Sequence, residues 1–542
     1  MKKRWIATIV ATAAGILLCT SAWFWFDHNY LVVEGTLYPK AADEVILTGK
    51  QLPEDRKFWE MAEFKTLDAR QVVMDIAAFE ALRAAMPDTE ILWNVPLGDG
   101  YFENTATEVR INSLMEDELR NLKYLPKLQV VDARGCSDFH VLELLMQYNS
   151  DLKVLYTVNV GTQQLREDTT QVTVSDDEIS ALMDAVPQLP QLELVDATGC
   201  TEYELLMQMR QLYPDLDIRY QVSIDAGQYS GDVEELKIDR DDMNALEEML
   251  PYLPNLTKVV LNGTFSDSDE ILALAGRWPN IIFDWEFQVC GVSTRSTSTE
   301  LVLSGIFMES TDMVESALKY FYHLERVEMC DCGIPSVNMD ALGQRHPETR
   351  FVWSVNIGWG KLRTDATAFI PFKLGYHIDR PFYDEQAQEL KYCIDLECLD
   401  LGHMRMYDIS FLQYMPKLKY LIVADTDAHD YSVIGQLTDL IYLEIFLTPL
   451  NDAEFLLNLT KLQNLNIAWT PLQNPEVLME MTWLERLWAT ECGLTEEQSE
   501  QLKQALPNAV VYTTSKHPTE GGWRQDDLYY KMRDLLEMGY ME

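Results

Sequence analysis

The sequence predicts an α/β chain, a solenoid of short parallel strands preceded by one N-terminal transmembrane helix. Three observations predict it. A 22-residue period runs without drift from residue 396, a longer period near 64 residues organises the chain before it, and an uncharged run, Trp5 to Phe26, opens it. The 542 residues include 87 acidic and 43 basic side chains, a formal charge of −44 and a pI near 4.4. So acidic a chain repels phosphate, and its one basic cluster is Lys2, Lys3 and Arg4, so nucleic acid is excluded as a partner. With 47% apolar and 11% aromatic residues there is ample material for a packed core, which excludes disorder.

The first element is residues 1–30. The uncharged run follows a basic start and ends at Asp27 and His28. About 20 apolar residues cross a bilayer, whereas the apolar region of a secretory signal is about 7–15. An uncleaved anchor is therefore expected, its positive flank cytoplasmic and the rest of the chain outside, with Trp23, Phe24, Trp25 and Phe26 at the outer interface. Cleavage after Thr20-Ser21-Ala22 is the competing reading and would leave the chain secreted.

Residues 43–357 form long units. Val130-Val131-Asp132-Ala133-Arg134-Gly135-Cys136 returns as Leu194-Val195-Asp196-Ala197-Thr198-Gly199-Cys200, with Thr66-Leu67-Asp68-Ala69 before them and Lys258-Val259-Val260-Leu261 and Arg326-Val327-Glu328-Met329 after. Each unit starts with a strand, at Val45, Val109, Val172, Leu236 and Leu301, and ends in an alternating one such as Ile91 to Val95 or Val154 to Val158. Three strands in about 64 residues match three turns of one solenoid, two carrying helices and the third a polar loop such as Gly161–Thr169. A rival reading makes the last strand of one unit and the first of the next an antiparallel hairpin. Residues 358–395, with Pro371, Gly375 and Pro381, read as an irregular joint. Residues 396–515 carry the 22-residue units, each opened by Leu396, Leu418, Leu440, Leu462 or Leu484. In residues 516–542 a break at Gly521-Gly522 precedes a helix from Gln525 to Met538, suited to closing the last exposed core edge.

Leu396–Leu399–Leu401–Met404 and Leu462–Leu465–Ile467–Thr470 show the pattern within a unit, and five frames agree. The chain resembles the leucine-rich-repeat family over about residues 43–515, with the spacing of the 22-residue repeats of bacterial exported and surface proteins of the internalin kind. That resemblance implies a curved horseshoe with a parallel concave sheet. It also implies a non-enzymatic extracellular scaffold, receptor- or adhesin-like, that binds a protein or peptide ligand.

In that fold the non-core strand residues face the concave surface. The front presents an acidic ladder, Asp68, Asp132, Asp196, Glu328 and Asp400, whose like charges at about 5 Å strand spacing would repel and be solvated. The back presents His403, Tyr420, Tyr442, Phe446, Trp469, Arg486 and Trp488, a recognition patch for a protein or peptide. An alternative is a cell-envelope glycan-binding module using the same aromatics. A third outcome is that the terminal helix or a loop folds over them.

Nine cysteines in an exported chain invite a disulfide scheme. However, Cys136, Cys200, Cys332 and Cys492 fall at the ninth position of their turns, where Met404, Thr426, Thr448 and Thr470 stand in other units. They are expected to be small buried packing residues serving neighbouring backbone. Asp425 to Asp430 lacks the glycine and distal glutamate of a calcium loop. No HExxH, GxSxG, GxxxxGK[ST] or GxGxxG pattern occurs, so no catalytic residue, metal ligand or cofactor is assigned.

Overall fold

The computed structural model describes residues 2–33, 36–48, 52, 65–224, 227–239, 243–264, 267–377 and 379–538. They divide into two compact bodies, Met1–Val233 with Asn244–Leu256 and Glu234–Met243 with Thr257–Glu542.

In the first body, α1 (Lys2–Asn29) carries the uncharged run as one 28-residue helix. Among the described residues no helix is long and apolar enough to cross a membrane; the side chains of residues 1–11 and 13, which include eight of the 22 in the expected span, lie outside the described ones. Among the described side chains of α1, Leu17, Leu18 and Phe24 are each 70% exposed.

Three units follow, each of three short parallel strands and then an antiparallel hairpin. In the first, Glu44–Ile46, Thr66–Asp68 and Glu90–Leu92 place Val45 beside Leu67 beside Ile91. Asn94–Leu97 then pairs with Gly100–Glu103. The second unit pairs Glu108–Arg110, Val130–Asp132 and Lys153–Leu155, and the third Gln171–Thr173, Leu194–Asp196 and Asp217–Arg219, each with its own hairpin. The second body opens with two more such units, starting at Glu235 and Glu300.

The three strands expected of each long unit are there and parallel, but their sheet does not run on into the next unit. Each run of three parallel strands ends, and the third strand's continuation pairs with the polar loop rather than with the next unit's first strand. The break falls at one buried aromatic residue, Trp93, Tyr156, Tyr220 or Trp353, matched by Trp285 in the fourth unit, where Ile282–Val289 runs on as one strand. The aromatic residue's carbonyl accepts the N–H of the residue eleven further on: Asn104 at 2.8 Å, Glu167 at 3.2 Å, Gly231 at 2.9 Å, Ser296 at 3.0 Å and Thr364 at 2.9 Å. In four units the same residue's side chain accepts the N–H of the aromatic residue. In those four units both backbone groups of the aromatic residue are thus satisfied inside the hairpin.

The second body ends in a seven-stranded parallel sheet: β1 (Ala368–Phe369), β2 (Cys398–Asp400), β3 (Tyr420–Ile422), β4 (Tyr442–Glu444), β5 (Asn464–Asn466), β6 (Arg486–Trp488) and β7 (Val510–Tyr512). Leu399, Leu421, Leu443, Leu465 and Leu487 stand side by side in register and are fully buried. This stacking is the register of a leucine-rich-repeat solenoid, since one turn cannot bury its face alone. β1 lies inside the stretch expected to be an irregular joint; its two residues are too few to carry the repeat pattern. The ninth-position residues do serve the backbone. The Thr426 and Thr448 hydroxyls donate to Val423 O at 2.7 Å and Ile445 O at 2.8 Å, and the Cys200, Cys332 and Cys492 thiols donate likewise. All nine cysteines are free thiols.

Candidate functional site: the concave face of the terminal sheet

Alternation along each strand fixes what the concave face receives. With the leucines turned inward, the flanking positions face the other way: Cys398, Tyr420, Tyr442, Asn464 and Arg486 on one line, Asp400, Ile422, Glu444, Asn466 and Trp488 on the next. Tyr420, Tyr442, Phe446 and Trp488 are nevertheless buried. The chain returns over them. Gly521 and Gly522 both adopt left-handed backbone, at φ +67° and +78°, a turn that glycine makes at little cost. A Cβ on Gly521 would lie 3.0 Å from the Tyr512 ring and 3.3 Å from Trp488. The turn delivers Trp523 between Tyr442 and Trp488, with ring centroids 5.5 and 4.8 Å away. α2 (Asp527–Leu535) then brings Tyr529 and Met532 onto the same cluster.

Polar contacts fix this strap. Arg486 meets Asp526 at 2.6 Å and donates to Gly522 O at 3.0 Å. The Asn464 and Asn466 amides donate to Asp526 and to Pro518 O, both at 2.8 Å. The Trp523 indole donates to Glu444 Oε1 at 3.0 Å, and the Tyr442 hydroxyl donates to the same oxygen. The helix thus covers the face of the sheet rather than its last edge, because its apolar residues match the aromatic concave cluster. Of the seven residues expected to form an open patch, Tyr420, Tyr442, Phe446, Arg486 and Trp488 are taken up by this packing; His403 and Trp469 remain open at the rim, Trp469 being 41% exposed.

Between α2 and β2–β4 a cavity of about 430 Å³ remains, lined by Asp400 and Glu444 from the sheet, Arg524 and Arg533 from the strap, and mainly apolar groups. Burial pushes the Asp400 carboxyl up to about 6, with the Glu444 charge adding to the effect, and burial raises Glu444 as well. Trp523, Arg524 and Arg533 carry no repeat signal, and only the Gly-Gly break before Trp523 marks them in the sequence.

The acidic ladder is not a bare stripe. Its five members lie on five separate sheets, so the expected 5 Å repulsion does not arise, and most hold a cation of their own. Arg70 grips Asp68 with two nitrogens, at 2.9 and 2.7 Å. Arg134 and Arg110 hold Asp132 at 2.8 Å each. Arg363 holds Glu328 at 2.8 and 2.9 Å, with Arg326 beside it. Asp196 accepts the Thr198 N–H at 3.0 Å instead. Hydrogen bonds from Arg70 and Arg134 lower the Asp68 and Asp132 carboxyls, and those from Arg363 bring Glu328 down to about 2. Among the described residues no group of three side chains is placed to hold a metal ion.

The sequence matches no protein-family model and no curated protein. Among solved structures, internalin C2 of Listeria monocytogenes is 16% identical over 40% of this chain and 80% of its own, with a TM-score of 0.23. Another Listeria monocytogenes internalin is 14% identical over 77% and 91%, with a TM-score of 0.24. A leucine-rich-repeat protein of Leptospira interrogans is 12% identical over 86% and 93%, with a TM-score of 0.22. The fold assignment rests on the repeat and the strand register, not on these superpositions.

Proposed function

We propose that this chain is a non-enzymatic binding scaffold, exported and tethered to the membrane by α1, that engages a protein partner along the rim of its terminal sheet. The observation that carries this reading is a row of five residues, His403, Asp425, Leu447, Trp469 and Glu491, one per turn. All have left-handed backbone, with φ between +52° and +63°. That conformation costs a non-glycine residue about 1–2 kcal/mol, and Asp or Asn recovers part of it through local hydrogen bonds that Leu and Trp cannot make. Leu447 and Trp469 are nonetheless held there with 39% and 41% of their surface open. Two adjacent apolar groups fixed outward on a rigid turn suit a protein contact. The glycan reading loses its platform, since Trp523 fills the space beside Tyr442 and Trp488.

The anchor reading rests on the outward apolar surface of α1, which α1 leaves in contact with solvent unless lipid covers it. Its basic start sets the N-terminus on the cytoplasmic side and the repeats outside. The test places a photo-crosslinking residue at position 469, or at 488 as control, in the full chain on cells. A discrete protein adduct at 469 and none at 488 is expected; equal labelling at both, or none at 469, refutes the rim. Release of the chain from membranes by alkaline carbonate would refute the anchor.

A further inference from the structure

The cavity under the strap has one acidic wall and one basic wall. Asp400 and Glu444 come from β2 and β4, and Arg524 and Arg533 from the strap. Glu444 is 2% exposed and receives both its hydrogen bonds, from Trp523 and Tyr442, on Oε1. Asp400 receives the Gly402 N–H on Oδ1. Arg524 has a buried Nε without a hydrogen-bond partner. Among the described residues no ion pair within 4.0 Å reaches Asp400, Glu444 or Arg524. The rest of the wall is mainly apolar, with Ile370, Ile422, Phe446 and Met532, and His377 and His403 complete it.

Buried polar atoms without partners are costly, so such a space favours a ligand that supplies them. The volume of about 430 Å³ falls within the roughly 300–1,000 Å³ of small-molecule sites, which are mostly apolar with a few convergent polar groups. A simple amine would answer the carboxylates and leave the Arg524 guanidinium unmet. A fatty acid would do the reverse. An inorganic anion would leave the apolar wall empty. We propose that this cavity binds a small zwitterion with an apolar side chain, a free amino acid or dipeptide, its ammonium against Asp400 and Glu444 and its carboxylate against Arg524. Such a ligand adds no net charge to the cavity and bridges sheet and strap, so its binding holds the concave face closed.

The experiment titrates the full chain in detergent micelles with leucine and leucyl-leucine, reading heat of binding. N-acetyl-leucine lacks the ammonium and leucinamide lacks the carboxylate; each is expected to bind at least tenfold more weakly than the better zwitterion. Arg524→Gln is expected to weaken the zwitterion at least tenfold and leave leucinamide unchanged, and this substitution breaks no side-chain hydrogen bond among the described residues. Trp469→Ala is expected to bind as wild type, which separates this site from the rim contact. Absence of binding by both zwitterions up to millimolar concentration, or equal binding by either blocked analogue, would overturn the proposal.

Discussion

Trp523→Ala is the substitution that opens the strap. The wild-type ring is fully buried, packed edge-on to Trp488 at 4.8 Å and tilted against Tyr442 at 5.5 Å, with the Arg486 guanidinium 5.6 Å from its centroid. Truncating a buried tryptophan costs about 3–5 kcal/mol. Here the lost donor to Glu444 adds little, because Tyr442 still donates to the same oxygen. At about 1.4 kcal/mol per tenfold, strap opening should rise by roughly two to three and a half decades. α2 has nine residues, too few to be stable as an isolated helix, where about 12–15 are marginal, so its amides report docking. Hydrogen exchange at Tyr530 and Leu536, whose N–H groups bond Asp526 O and Met532 O at 3.0 Å each, should accelerate by that factor. Exchange at Ile445, bonded to Asn466 O at 2.9 Å, should not change, because the leucine row beneath it is untouched. Acceleration of the α2 amides by less than tenfold would refute the assignment of Trp523 as anchor. Equal acceleration at Ile445 would show that strap and sheet unfold as one unit.

Three further outcomes are expected. Asp400 ordinarily titrates near 3.8 and reaches about 6 in the fold, so the folded state binds its proton more tightly. Stability then falls as pH rises from about 4 to 6, by on the order of 2–3 kcal/mol at about 1.4 kcal/mol per unit. Asp400→Asn should remove that slope from α2 exchange measured at pH 4.5 and 7, with Glu444, Arg533 and His403 unchanged around it; an unaltered slope would count against it. Glu328→Gln should cost about 1–2 kcal/mol in urea unfolding, because it breaks the two-nitrogen grip of Arg363. Its carboxyl lies near 2 instead of 4.5, so this contribution is complete above 4.5 and is lost as pH falls toward 2; a variant as stable as wild type at pH 7 would contradict it. In detergent, maleimide should label Cys19 quickly, Cys290 slowly and the seven buried thiols only after denaturation; slow labelling of buried thiols fits Cys393, which burial pushes up to about 12, and any disulfide-linked band would refute the free-thiol assignment.

Legibility in the sequence followed the direction a side chain faces. The inward row from Leu399 to Leu487 repeats because every turn meets the same neighbour, so its period and register could be read directly. The ninth-position cysteines could be placed for the same reason. The hairpins of the long units were half legible. The alternating strands showed, but the break at Trp93 or Tyr156 depends on a residue eleven positions on, and Asn104, Glu167, Gly231, Ser296 and Thr364 share no chemistry beyond donating one backbone N–H. The arginines beside the acidic ladder were visible as Arg70 and Arg134, two residues after each aspartate, although only the structure shows them folded back onto it.

The concave face was the least legible part, for a physical reason. A solenoid turn is held by its inward leucines and by the ladder to its neighbours, so the outward positions are free of the repeat and are chosen by whatever lies against them. Here Glu444 lies against Trp523, 79 residues away, and Cys398 lies near Met532, 134 residues away. No period spans such distances. What the sequence does show is a mismatch: buried-type residues, Tyr442, Phe446 and Trp488, occupy positions that would otherwise face solvent. Such a mismatch has two physical resolutions, a partner from outside or a segment of the same chain. The strap supplies the second, and Leu447 and Trp469 at the rim stay outside it, 39% and 41% exposed.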